Sequence, residues 1–193
     1  MRDYKQQRQQ AVRLPKPLNS ASLHELALSY VARFSTSAVK LERYLQRKLR
    51  ERGWEGDQPA DTAALAERFV ELGYIDDAAY ARAKSSSLLG RGYGGRRVGQ
   101  ALSEAGIAAE IRQDVAPGER AARAAALKLA QRRRFGPFGG ETPDRERREK
   151  QLSAMLRAGH SLDNARNVVN AASEEQALAW AEDCDEDDDD SLY

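Results

Sequence analysis

The chain has 193 residues, 32% of them charged and only 7% aromatic, which suits one or two ordinary domains or a short array of thin helical cores better than one large core. Its single cysteine, Cys184, excludes an intramolecular disulfide, and no apolar run is long enough to span a membrane. The net charge of +1 hides an asymmetry: residues 1–60 sum to +6, 61–115 to −1, 116–173 to +6 and 174–193 to −10. A basic body with an acidic end points to a polyanionic partner for the body. The composition, rich in Ala, Leu, Arg, Glu and Gln, favours an all-α fold. The N-terminus lacks the apolar segment of a secretory signal, so a cytoplasmic setting is expected.

Residues 1–21 are basic, Gln-rich and broken by Pro15 and Pro17, and read as a flexible arm. Ser22 and Glu25 have the spacing of a capping box for a first helix carrying Leu26, Tyr30 and Phe34. Ser35 to Ser37 break that helix and cap the next, where Leu41, Leu45 and Leu49 recur four apart until Gly53. Asp61 caps a third helix with the stripe Leu65, Phe69 and Leu72, stopped by Gly73. This first three-helix unit occupies 22–75.

The second unit, 76–117, opens at Asp76-Asp77, read as caps of an Ala-rich helix rather than as an acid pair or metal site. Ser85 to Ser87 weaken that helix, and Gly90 to Gly95 form a hinge. Val98, Ala101, Leu102 and Ala105 mark the next helix up to Gly106, and Ile107, Ile111 and Val115 a short third one. The third unit, 118–173, starts with an Ala-rich helix from Glu119 and passes through a loop, Phe135 to Pro143. A charged helix from Asp144 follows, with Leu152, Met155 and Leu156 on its apolar side. Gly159 ends it, and Ser161 caps a last helix bearing Leu162, Ala165, Val168 and Val169. Residues 174–193 read as an acidic disordered tail in which Trp180 alone could dock.

The helix-ending glycines fall at 53, 106 and 159, at an even interval of 53 residues. Each closes a charged amphipathic helix and precedes a short apolar one. Even spacing of like elements is the mark of tandem repeats, so the fold expected is all-α, an elongated, curved array of three three-helix repeats.

No catalytic constellation is present. His24 and His160 are the only histidines, with no Ser or Cys at nucleophile spacing, and no zinc or calcium pattern occurs. The Gly90–Gly95 run lacks the Lys-Ser/Thr of a nucleotide loop. No cofactor or metal is therefore expected. What stands out is basic: Arg43, Arg47, Lys48 and Arg50; Arg91, Arg96 and Arg97 with Tyr93 among them; Arg132, Arg133 and Arg134; and Arg145, Arg147, Arg148 and Lys150. Any one cluster, interleaved with Glu, would pass as solvated helix surface. Aligned by stacked repeats they would form a guanidinium stripe suited to phosphates or carboxylates.

The stretch GYIDDAAYA, followed by GRGYGGRRVGQALSEAGI, resembles the RecX family, bacterial regulators of the RecA recombinase. LALSYVARFSTSAVKLERYLQRKLRERGW resembles that family's first unit, and RFGPF (Arg134–Phe138) with the segment from Asp144 to Ala171 its third, so the likeness covers about residues 23–172. It implies a modular protein that lies in the groove of the RecA filament on single-stranded DNA, binds DNA in some members, and restrains filament growth, ATP hydrolysis and strand exchange. The clusters named above would then contact RecA or DNA, and a cytoplasmic monomer is expected. Three departures stand out: Lys40 where the family has Glu, His160 where it has an aromatic, and the Asp-rich end. That end could fold back on the arginines and compete with phosphates. The alternatives are a helix-turn-helix transcription regulator, which needs a base-reading helix, and a helical scaffold without nucleic acid.

Overall fold

Side-chain caps written into the sequence start most of the long elements; two helices start at glycines, Gly94 and Gly118, instead. The structure, a computed structural model, describes residues 16–140 and 143–183. Among these, ten α-helices follow in order: α1 (Ser20–Val31), α2 (Ala38–Arg52), α3 (Thr62–Glu71), α4 (Asp77–Gly90), α5 (Gly95–Glu104), α6 (Ala109–Asp114), α7 (Glu119–Arg133), α8 (Arg145–Arg157), α9 (Leu162–Val169) and α10 (Glu174–Glu182). Ser37, Asp61, Asp76, Asp144, Ser161 and Ser173 each accept a hydrogen bond from a first-turn amide. The molecule is all-α, an elongated tandem array with three separate cores in chain order.

Leu41, Leu45, Phe69 and Ile75 centre the first core, Val98, Leu102 and Ile107 the second, and Leu129, Met155, Val168 and Val169 the third. Leu49 and Leu65 pack at the edge of the first core. Phe34, Leu72 and Leu162, placed in apolar stripes by periodicity, instead stand exposed: Phe34 lies in the turn beyond α1, Leu72 at the C-cap of α3 and Leu162 at the first position of α9.

Five further expectations change. The first helix is capped by Asn19, reciprocally with Ser22, not by Ser22 with Glu25. The arm does not extend to residue 21: Leu18 is fully buried, accepts the Glu55 amide at 2.7 Å and donates to the Gly53 carbonyl at 2.9 Å. The serines do not weaken α4, since Ser85 is buried and donates to the Val115 carbonyl at 3.0 Å, binding α4 to the end of α6. The loop after α7 contains a short 3-10 turn, Gly136–Gly139, held by the Gln151 side chain on the Gly136 amide. Residues 174–183 are helix rather than tail. Ala177 is fully buried, Trp180 packs against the third core, and the Arg123 guanidinium stacks 5.2 Å from the Trp180 ring and donates to the Trp180 and Asp183 carbonyls. The acidic run Asp185 to Asp190 lies outside the described residues.

The units join through the ends of their second helices. Between the first and second, Ser37 Oγ donates to the Ala105 carbonyl and the Arg43 guanidinium to the Glu104 carbonyl, both at 2.6 Å. Asp77 accepts the Ala38 amide at 3.1 Å, so Asp76 caps α4 while Asp77 caps α2 across the boundary. Between the second and third, the Gly94 amide donates to Ala158 at 3.0 Å and the Arg96 amide to Gly159 at 3.1 Å. Thus the C-terminal end of α8 meets the N-terminal end of α5, and the C-terminal end of α5 meets the N-terminal end of α2. Their dipole ends are opposed favourably. The same carbonyl that Gly159 gives to Arg96 is given by Gly53 to Leu18, so Leu18 docks on the C-terminal end of α2 as Arg96 docks on that of α8.

Candidate nucleic-acid and protein interface

Head-to-tail docking makes α8, α5 and α2 one row. They hold 13, 10 and 15 residues, or about 57 Å of helix at 1.5 Å per residue. The close approach depends on glycine. A side chain on Gly94 would overlap the backbone of Gly159 and His160, and one on Gly106 would overlap Val39. Gly106 and Gly159 also carry positive φ, 76° and 95°, which disfavours any side chain. The Gly90–Gly95 segment is therefore a packed joint, not a hinge.

His160 belongs to this joint. Its ring is 2% exposed and its Nε2 lies 3.1 Å from the Gly92 carbonyl. A carbonyl can only accept, so the neutral ring carries its proton on Nε2. Burial pushes the imidazole below its ordinary value, offset in part by that hydrogen bond. His24 is exposed and rests its ring 5.3 Å from Phe69. No cluster of three metal-ligating side chains occurs among the described residues.

Along the row the cations sort by role. Arg43, Arg47 and Arg50 are exposed at i, i+4 and i+7 on α2, opposite Leu41 and Leu45. Lys40 extends this face at its start. Lys48 lies on the flank, paired with Glu51 at 2.6 Å, and its hydrogen bond holds the Glu51 carboxyl below the usual carboxylate range. Arg47 reaches the same Glu51 at 3.6 Å and stacks 5.5 Å from the Tyr44 ring. Arg43 spends one nitrogen on the unit boundary, so it ties the array together as well as charging it.

At the second joint, Arg96 and Arg97 occupy the first turn of α5 beside Gly159, with Arg97 bonded to Gln100 at 2.9 Å. Arg91 stacks 5.3 Å from the half-buried Tyr93 ring. Gly92, next to Arg91, abuts the backbone of Leu129, and Arg132, Arg133 and Arg134 follow on the exposed end of α7. Arg134 takes the left-handed conformation, φ 55°, that ends the helix. The α8 cluster is less uniform. Arg145 pairs with Glu149 at 3.2 Å and Lys150 with Glu146 at 2.6 Å, all highly exposed; Arg147 is exposed; Arg148 is half-buried and donates to Pro143 at 3.3 Å. Arg148 is thus mainly a structural tie. Sequence reading missed Lys40 and Arg157, the latter exposed on the last turn of α8 beside the Arg96/Arg97 joint. The spacing of Lys40 from Arg43 was a usable signal; nothing local marked Arg157.

Three-helix units chained through glycine-dependent helix ends, with cations on the chained helices, define a tandem helical-repeat protein. Residues 76–115 match the family model described as RecX, second three-helix domain. The regulatory protein RecX of Myxococcus xanthus is 31% identical over 166 residues, spanning 81% of this chain and 89% of the relative. That of Agrobacterium fabrum is 34% identical over 135 residues, 68% of this chain and 72% of the relative. The crystal structure of RecX from Lactobacillus salivarius superposes with a TM-score of 0.59 at 16% identity, covering 84% of this chain and 96% of that one, a likeness of fold. The chain belongs to the RecX family of regulatory proteins. No helix among the described residues is long and apolar enough to cross a membrane.

Proposed function

We propose that this chain regulates a RecA recombinase without catalysis of its own, by lying in the groove of the RecA filament on single-stranded DNA. It thereby slows filament extension, ATP hydrolysis and strand exchange. The observation that carries this reading is the α8–α5–α2 row. Its hydrogen-bonded, close-packed joints chain three helices that together make about 57 Å of helix, and so set their guanidinium groups along one continuous track able to meet a helical polymer. Arg47, Arg50, Arg96, Arg97, Arg132, Arg133, Arg145, Arg147 and Lys150 supply the contacts to protein carboxylates or DNA phosphates. The units expected from sequence, 22–75, 76–117 and 118–173, serve as the modules of this grip once the first is extended back to Leu18 and the third forward through α10. A cytoplasmic monomer is the working form.

The short helices following Gly106 and Gly159 carry Glu110, Asp114 and Asp163, which disfavours the helix-turn-helix alternative. Titrating the chain into RecA on single-stranded DNA while following ATP hydrolysis tests the proposal. A dose-dependent fall supports it; hydrolysis unchanged at saturating chain rejects it.

A further inference from the structure

A cleft of about 480 Å³ opens between the first and second units, where the cationic face of α2 begins. Val31 to Thr36 form one side, Tyr74 to Asp76 another, and Ala79, Tyr80 and Ala83 of α4 a third. Two aromatic rings line it yet stay in water: Phe34 is 56% exposed and Tyr74 54%. Neither is loose. Tyr30 sits 5.2 Å behind Phe34, and the buried Phe69 5.4 Å behind Tyr74, each in a tilted ring contact. Rings fixed in place but uncovered present apolar area that a flat partner would remove from water.

The charges around the cleft identify that partner. Lys40, first cation of the α2 face, donates from Nζ to the Tyr80 hydroxyl at 3.1 Å, so the cationic track runs into the cleft wall. Arg33 lines the mouth. The carboxylates nearby are committed: Asp76 accepts the Ala79 amide and Asp77 the Ala38 amide, each offsetting the positive end of a helix. A ligand that is anionic along its backbone and flat and apolar on its side groups fits both features. Single-stranded nucleic acid is such a ligand, because unpaired bases offer their faces to aromatic side chains.

The geometry points to a base-stacking site in which Phe34 and Tyr74 receive bases of a single strand whose phosphates follow Lys40, Arg47 and Arg50. It rests on the reading of α2 as a polyanion track and adds the kind of strand. Paired bases show only their edges, so duplex DNA gains nothing here.

The test uses the full chain without RecA and a fluorescein-labelled oligo-dT, with anisotropy read over a range of salt. Phe34→Ala with Tyr74→Ala should weaken binding roughly five- to 150-fold per base lost, leaving the slope against log salt unchanged. Phe34→Trp should keep it. Arg47→Ala with Arg50→Ala should reduce the slope instead. Both rings are more than half exposed, so their removal leaves the core in place, which circular dichroism checks. Unchanged oligo-dT affinity in the double variant overturns the site. So does a variant that keeps oligo-dT but no longer binds the RecA filament, which makes the cleft a protein-docking surface. A wild-type chain that ignores oligo-dT yet still suppresses RecA ATP hydrolysis overturns this site while leaving the proposed function standing.

Discussion

Replacing Gly94 by alanine attacks the joint between the second and third units and little else. Its φ of −81° and ψ of 168° suit alanine as well as glycine, so the cost is steric, not conformational. The new methyl would overlap the carbonyl of Gly159 and the amide of His160, all backbone atoms that no rotamer change can move aside. Relief requires the ends of α5 and α8 to part by roughly 1 Å to restore ordinary contact. That breaks the Gly94–Ala158 and Arg96–Gly159 hydrogen bonds and strains His160 on Gly92. At about 1 kcal/mol for each of the two hydrogen bonds, with about 1–3 kcal/mol for overpacking, the loss is about 3–5 kcal/mol. Gly99→Ala is the control: its methyl points into open space inside α5, and a gain of about 0.5–1 kcal/mol is expected. Urea unfolding followed by circular dichroism measures both, and hydrogen exchange in α5, α8 and α9 shows whether the units uncouple. A Gly94→Ala chain as stable as Gly99→Ala would refute the reasoning.

Three other outcomes follow from the same geometry. His160 is held neutral by burial, its folded pKa below the ordinary 6.5. Between those two values the unfolded chain binds the extra proton, so its contribution to stability is present above pH 6.5 and is lost as pH falls toward the folded value. Urea midpoints at pH 7.5 and 5.5 should differ more for wild type than for His160→Phe; equal differences would count against it. Truncation after Asp183 removes the Asp-rich end but spares α10, and should tighten binding to single-stranded DNA at low salt if that end competes with phosphates; unchanged affinity rejects the competition. Trp180→Ala removes the ring under Arg123 and should lower the stability of the third unit by about 1–3 kcal/mol. Its expected readout is faster amide exchange in α7 and α9, and exchange unchanged from wild type would place α10 outside the third core.

The caps and leucine stripes made most of this fold legible. Ser37, Asp61, Asp76, Asp144 and Ser161 behave as their sequence context implies, and the even spacing of Gly53, Gly106 and Gly159 marks equivalent helix ends. What the spacing could not convey is that two of those glycines are contact points. Gly106 and Gly159 admit Val39 and the Arg97 backbone from the neighbouring unit, a relation between residues tens of positions apart. Leu18 is hidden by a Pro- and Gln-rich leader; Trp180 is legible as a residue able to dock, but the acidic run around it masks the helix, α10, that carries it. Of the basic residues, the α2 face was readable from its i, i+4, i+7 spacing. The structural ties of Arg43 and Arg148 were not, because their acceptors are carbonyls set by tertiary packing.

Electron cryo-microscopy of RecA filaments on single-stranded DNA, saturated with this chain, tests the central claim most directly. Density following the groove, with α8, α5 and α2 aligned against the filament and Arg47, Arg50, Arg96 and Arg97 on the contacting side, is the outcome expected. Density confined to filament ends, or a groove-bound chain with that row turned to solvent, would contradict it.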